Sequence, residues 1–203
     1  MSGRLTIYGD MTSGNCLKVR WTAERLGIAF DWIETSVVKG ETRTEDFIAI
    51  NPSGQVPCVV FPDGRPLAQS NAIILHFAEG SELIPADPYA RAKMLEWLFW
   101  EQYSHEPYIA TRRFRKKFRH QGDDEIDPEL LPRGRRALGV MELALLNREF
   151  LAGDALSLAD VALVAYTRMA HEGGFDLTEF PQVQHWIGRV ERALGLDPIR
   201  EAA

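Results

Sequence analysis

Three places along the chain put reactive or charge-binding side chains where the backbone adds to their chemistry. The first is Met11-Thr12-Ser13-Gly14-Asn15-Cys16, a turn-rich loop that runs into a helical pattern. It offers hydroxyls at Thr12 and Ser13 and a thiol at Cys16, close to a helix start whose free N–H groups and dipole favour an anion. A cysteine exposed there ionises easily and exchanges with disulfides. Cys16 shares an apolar face with Val19 and Ala23, however, so an inert, buried thiol is the commoner outcome. Ser13 can act as a plain helix N-cap, a role compatible with donating to a ligand. The second place is Ser70, expected to open a helix as its N-cap and to offer a hydroxyl and the first free N–H groups to a carboxylate. The third is Thr42-Arg43 in a polar loop. A guanidinium is a good carboxylate partner, and just as often a solvated loop residue.

Other chemistries find little support. The 5 histidines have no metal-ligand spacing, and no GxGxxG or Walker sequence occurs. The cysteines, Cys16 and Cys58, form no CxxC pair, which suits a reducing compartment and places the chain in the cytoplasm. Cys58 beside Pro57 reads as inert. The start, MSGRLTIYGD, lacks a secretory apolar run, and the apolar stretch Leu156 to Tyr166 is interrupted by Asp160 and too short for a bilayer. A net charge of −6 disfavours nucleic acid. The run Arg112 to Arg119 is basic, but Phe114 and Phe118 at i,i+4 make it one solvated helix face, with acidic residues from Asp123 onward to neutralise it.

The elements that must carry these residues follow from periodicity and turn chemistry. Alternation over 4–8 gives a strand, a helix follows to a stop at Gly27, and Phe30 to Glu34 gives a parallel strand with right-handed crossover. A short helix around Glu45 to Ile50, a strand Cys58 to Phe61, the turn Pro62 to Arg65, a strand Pro66 to Ala68 and a helix Ser70 to Glu79 complete this half. Residues 81–87 read as a linker. Helical patterns then dominate: a long helix from Asp87-Pro88 kinked at Pro107, another over Leu131 to Arg148, a buried one over Leu158 to His171, and a last one with Trp186, Val190 and Leu194. Ser157 and Asp160 form a capping box whose loss costs about 0.5–2 kcal/mol. The fold class is therefore α/β followed by all-α.

Asn51-Pro52-Ser53-Gly54-Gln55-Val56-Pro57, followed by Gln69-Ser70-Asn71-Ala72-Ile73, resembles the glutathione-binding signature of cytosolic glutathione transferases. FLAGDALSLADVALVAY resembles that family's second-domain motif, so the resemblance spans nearly the whole chain. The loop around Ser13 is similar to bacterial and phi/theta-like serine-type members. The resemblance implies a thioredoxin-like domain over 1–80, a linker over 81–87 and an all-helical domain over 88–203. It also implies glutathione as co-substrate, a small hydrophobic electrophile as second substrate, a detoxifying role and a homodimer.

Residue by residue, it implies a cis peptide at Pro57 that turns Val56 outward to pair with the tripeptide, with Gln55 beside it. Ser70 would hold the γ-glutamyl carboxylate, Gln69 its amine and Arg43 the glycine carboxylate. Gln69 departs from the acidic residue many members carry there and forgoes an ion pair. Ser13 would donate to the thiolate, with Tyr8, Thr12 and Cys16 as rivals. Met11, Tyr103 and Tyr108 would line the electrophile pocket between the domains. If Cys16 were exposed, a glutathione-dependent reductase or peroxidase would be the alternative; a non-catalytic glutathione-binding module is another.

Overall fold

In the computed structural model, which describes residues 3–199, strand β1 (Leu5–Gly9) buries Leu5, Ile7 and Gly9 and half-buries Thr6 and Tyr8. Helix α1 (Gly14–Arg25) carries the chain to β2 (Phe30–Glu34), which pairs parallel to β1 with Leu5 opposite Phe30 and Gly9 opposite Glu34. Gly9 is required there, because a Cβ at this position would collide with the Trp32 indole. The short helix α2 (Glu45–Ile50) is capped by Thr44, whose hydroxyl accepts the Phe47 N–H at 3.3 Å.

On the other edge of β1 lies β3 (Cys58–Val60), antiparallel, and then β4 (Pro66–Ala68), giving the sheet order β2-β1-β3-β4. β3 ends one residue earlier than expected, as the Phe61 N–H turns to the Arg65 carbonyl at 3.0 Å to close the hairpin. Helix α3 (Ser70–Ala78) packs against α1. This is a thioredoxin-like arrangement, and the chain divides into two compact units between Ser81 and Glu82.

The second unit is helical. Asp87 caps α4 (Pro88–Trp100) by accepting the Ala90 N–H at 2.8 Å, with proline in the first turn where its missing N–H costs nothing. The expected kink at Pro107 takes a specific form. The helix widens into a π-turn over Glu101–His105, where the Glu106 N–H reaches five residues back to the Glu101 carbonyl, and resumes as α5 (Glu106–Arg119). Pro107 then falls in a first turn, where it lacks no bond it needs.

Helix α6 (Leu130–Leu145) stops three residues short of Arg148. Helix α7 (Leu158–Thr167) stops short of His171 and tightens into a 3₁₀ turn, Ala170–Gly173. That ending is held by Arg112, whose Nε donates to the Gly173 carbonyl at 2.8 Å. Helix α8 (Pro181–Leu194) ends on Gly195 at φ 67°, a conformation glycine adopts freely, with the Leu196 N–H on the Glu191 carbonyl at 2.9 Å. The basic run of α5 pairs with an acid from the segment that follows it and with one from the 3₁₀ turn after α7. Arg112 and Lys116 share Asp123, and Arg113 and Lys117 share Glu172.

Every residue of α7 is buried, and Asp160 sits in its first turn with no exposure. The carboxylate does more than cap. Oδ2 accepts the Ser157 N–H at 3.0 Å and the Ser157 hydroxyl at 2.9 Å. Oδ1 accepts the Leu151 N–H and the Trp186 Nε1–H, each at 2.9 Å. Burial pushes its pKa up, and these donors push back toward the anion. One side chain thus ties α7 to the preceding loop and to α8. Removing it orphans several buried donors, so Asp160→Ala should cost about 3–5 kcal/mol, well beyond a lone cap. Asp160→Asn keeps the shape but faces donors with an NH2 group and should lose a large part of the same stability. Chemical denaturation of both variants checks this; a loss under 1 kcal/mol, roughly the value of a simple cap, would mean the Leu151 and Trp186 bonds contribute little.

Candidate functional site

The first unit gathers its polar side chains where β1 ends and where α1 and α3 begin. β1 delivers the chain to Asp10, which is 4% exposed and accepts through its carbonyl from the Ser13 N–H at 2.9 Å. Ser13 takes the N-cap position of α1, yet its hydroxyl makes no cap hydrogen bond. The residue is half-buried, and its hydroxyl lies within hydrogen-bond reach of the Cys16 sulfur.

The rivals to Ser13 are placed differently. Thr12 donates its hydroxyl proton to Asp10 Oδ1 at 2.6 Å. Tyr8 packs its ring edge-on to Phe47 of α2, 5.9 Å between centroids. Cys16 is fully buried, and burial pushes its thiol up to about 12, with the Asp10 and Glu34 charges adding to the rise and bonds from the Asp10 backbone and the Ser13 hydroxyl opposing it. At that value only about one thiol in ten thousand is ionised near pH 8. Cys58 is buried too, its thiol pushed up to about 11 by desolvation.

The start of α3 differs from the expectation in one respect. Gln69, not Ser70, occupies the N-cap position, and Ser70 is the first helical residue. The reason is backbone geometry. β4 ends at Ala68, and the chain turns into α3 through Gln69 at φ 70°, a region costly for a residue with a Cβ. Ser70 is buried, and its hydroxyl donates to Asn15 Oδ1 at 2.9 Å. Its proton is therefore committed, and the Ser70 oxygen remains an acceptor. Next to it, Lys18 Nζ donates to Asn71 Oδ1 at 3.3 Å. These two bonds tie the beginnings of α1 and α3 together.

The loop from Asn51 to Pro57 is braced by its own first residue. Asn51 Nδ2 donates to the Gln55 carbonyl at 2.7 Å, and Oδ1 accepts the Ser53 hydroxyl at 2.9 Å. The Val56–Pro57 peptide is cis. Val56 is half-buried and Gln55 exposed. Gly54 has φ 60°, and a Cβ there would lie 2.5 Å from Arg43 Nη1, so the Arg43 guanidinium lies against this loop. Thr42 is buried. Met11 is 39% exposed; its N–H donates to Glu34 Oε1 at 3.1 Å and its sulfur accepts from Arg20 Nη1 at 2.9 Å.

In the second unit, Tyr108 lines a cavity of about 410 Å³ with Trp100, Ser104, Arg133, Arg136 and Val140. Tyr103 is 81% exposed and does not line it. Five residues apart on a helix, the two tyrosines do not form one wall. Among the described residues, no group of His, Cys, Asp or Glu could hold a metal ion, and no helix is long and apolar enough to cross a membrane.

Sequence reasoning missed Asp10, Asn15 and Asn51. Each holds a loop rather than facing outward. The pattern Asp-x-Thr straight after a strand, and an asparagine opening a turn-rich segment, are the signals that could have marked two of them.

The chain matches the glutathione S-transferase N-terminal domain over residues 12–79 and the glutathione S-transferase C-terminal domain over residues 97–193. A crystal structure of a glutathione S-transferase from Pseudomonas fluorescens is 42% identical, with a TM-score of 0.90, covering 93% of this chain and 95% of that one. Glutathione S-transferase theta-1 of Mus musculus is 31% identical over 98% of this chain and 87% of its own length. The URE2 protein of Eremothecium gossypii is 26% identical over 92% of this chain, which spans 65% of that relative's length. A solved structure of Ure2p in complex with glutathione is 25% identical, with a TM-score of 0.83, covering 94% of this chain and 91% of that one. By sequence and by fold, the chain belongs to the glutathione S-transferase family.

Proposed function

We propose that this protein is a glutathione transferase that binds glutathione in its first unit and conjugates it to a small electrophile. The observation that carries the reading is Ser13, a half-buried serine at a helix start whose hydroxyl is not used as a cap. A hydroxyl donor and a helix N-terminus both favour a thiolate over a thiol, and about 2.7 kcal/mol suffices to lower a thiol pKa by ~2 units. The glutathione sulfur then attacks the electrophilic carbon: the S–C bond forms as the bond to the leaving group breaks, and the thiol proton has already gone to solvent.

The rest of the tripeptide fits the remaining groups. Val56 offers a backbone edge to an extended peptide. The first turn of α3 receives the γ-glutamyl carboxylate, with Ser70 and Gln69 around its amine, and Arg43 beside Gly54 receives the glycine carboxylate. Tyr108, on the wall of its cavity in the second unit, supplies apolar surface to the second substrate.

A second reading, a glutathione binder without transfer, is favoured by the URE2 relatives, one of which the Saccharomyces cerevisiae name calls a transcriptional regulator. The reductase reading through Cys16 has burial and a raised thiol pKa against it. Exposed Phe99, Tyr103 and Leu143, at 74%, 81% and 70%, support a homodimer in which a second copy covers them. Two free, buried cysteines suit a reducing cytoplasm and a detoxifying role there.

Ser13→Ala should raise the pKa of bound glutathione toward ~8.5 while leaving its affinity nearly unchanged. Turnover of chlorodinitrobenzene at neutral pH should fall about 10–100-fold and recover in part as pH rises. Ultraviolet difference titration follows the thiolate directly; a bound pKa that stays put would remove Ser13 from the mechanism. For wild type, glutathione binding with no turnover of any electrophile would favour the second reading.

The cysteines make a separate prediction. Native protein incubated with iodoacetamide near pH 8 should take up no label, and protein in denaturant should take up label at both cysteines, read by intact mass. Fast native labelling of Cys16 would restore the reductase reading.

A further inference from the structure

We propose that Asp10 is a positioning residue for the sulfur chemistry: its carboxylate locks the loop carrying Ser13 to the segment carrying Arg43, so that both address one ligand from fixed places. The inference rests on the glutathione transferase reading above. Asp10 follows β1 directly and is 4% exposed. Oδ1 accepts the Thr12 N–H at 2.9 Å and the Thr12 hydroxyl at 2.6 Å, which folds 10–13 into a tight turn. Oδ2 accepts the Val37 N–H at 3.0 Å, across to the loop that follows β2.

From Val37 the bonds continue to the arginine. The Gly40 N–H donates to the Val37 carbonyl at 3.2 Å, and the Arg43 N–H to the Gly40 carbonyl at 2.9 Å. Glu41 closes the same loop, its carboxylate accepting the Ser36 N–H at 2.6 Å. An unbroken path of hydrogen bonds therefore runs from Ser13, through Asp10, to Arg43.

Charge alone gives no reason for an aspartate here. A negative group beside a sulfur that must ionise opposes the thiolate, and at Cys16 the Asp10 and Glu34 charges both push the thiol up. What aspartate supplies is two acceptor oxygens facing donors on two different loops. Asparagine, of the same shape, can satisfy only one of them and turns an NH2 group toward the other donor.

The two accounts of Asp10 predict opposite signs. In Asp10→Asn, with Glu34, Glu41 and Arg20 unchanged, loss of charge alone would lower the pKa of bound glutathione. Loss of positioning should raise it, by about one unit, with kcat at neutral pH falling about tenfold and recovering in part at higher pH. Thr12→Val, at an exposed position, removes the hydroxyl bond and keeps the N–H bond to Asp10, and should shift the pKa in the same direction by less.

Difference titration of the bound thiolate and steady-state turnover read both variants. A lowered or unmoved thiolate pKa in Asp10→Asn overturns the proposal, whatever happens to its melting temperature. If that variant does not fold, Thr12→Val decides alone, an unmoved pKa overturning the proposal. A wild-type protein whose bound glutathione shows no depressed pKa defeats the transferase reading and this inference with it. A depressed wild-type value with unmoved variants defeats only the role of Asp10.

Discussion

β1 is hydrogen-bonded on both edges, parallel to β2 and antiparallel to β3, so its exit at Gly9 and Asp10 has almost no freedom. Everything chemical in the first unit hangs from that exit. The Gly9 carbonyl takes the Thr35 N–H at 2.8 Å, extending the ladder one step past β2. Asp10 then grips the loops that follow β1 and β2. Ser13 is where it is because a fixed strand end feeds a turn of fixed length. Loops otherwise carry the low-stability end of a fold; here a buried carboxylate makes one rigid.

Asparagine and aspartate side chains do the same work elsewhere. Asn51 spans its own loop to the Gln55 carbonyl, Asn15 holds the Ser70 hydroxyl, and Asp160 holds the beginning of α7 to Leu151 and Trp186. In each case a short polar side chain pairs with a main-chain or side-chain polar group of another segment or of its own loop. Buried residues of this kind are costly to change because the penalty falls on the partners left behind.

The functional question narrows to one sulfur and its donors. A family member that only binds glutathione and one that transfers it can share the peptide-binding groups, since these serve both. They differ in whether a free donor stands at the thiol, because only that interaction is stronger for the thiolate than for the thiol. Thr12 has committed its proton to Asp10 and Cys16 is sealed in the core, while the Ser13 hydroxyl lies within reach of the Cys16 sulfur, and it is on Ser13 that the proposed mechanism rests.

Much of this was determined by the sequence. Alternation over 4–8, the strand–helix–strand spacing and the turn at Pro62 to Arg65 dictate the sheet, because period and turn chemistry are local. The capping pair Ser157 and Asp160 is local as well, being three residues apart. The motif around Asn51 to Pro57 carries the resemblance to the family without any contact being known. Tertiary structure decided the rest. Ser70 became a first-turn residue instead of a cap because β4 had to turn through Gln69 at φ 70°. The long helix took a π-turn at Glu101–His105, and only Tyr108 of the two tyrosines lines the cavity there. Asp10 and Val37 lie 27 residues apart, and Asp160 and Trp186 lie 26 apart. No periodicity links such pairs, since a hydrogen bond between distant residues depends on where the packed elements bring them, and that is fixed only when the whole core closes.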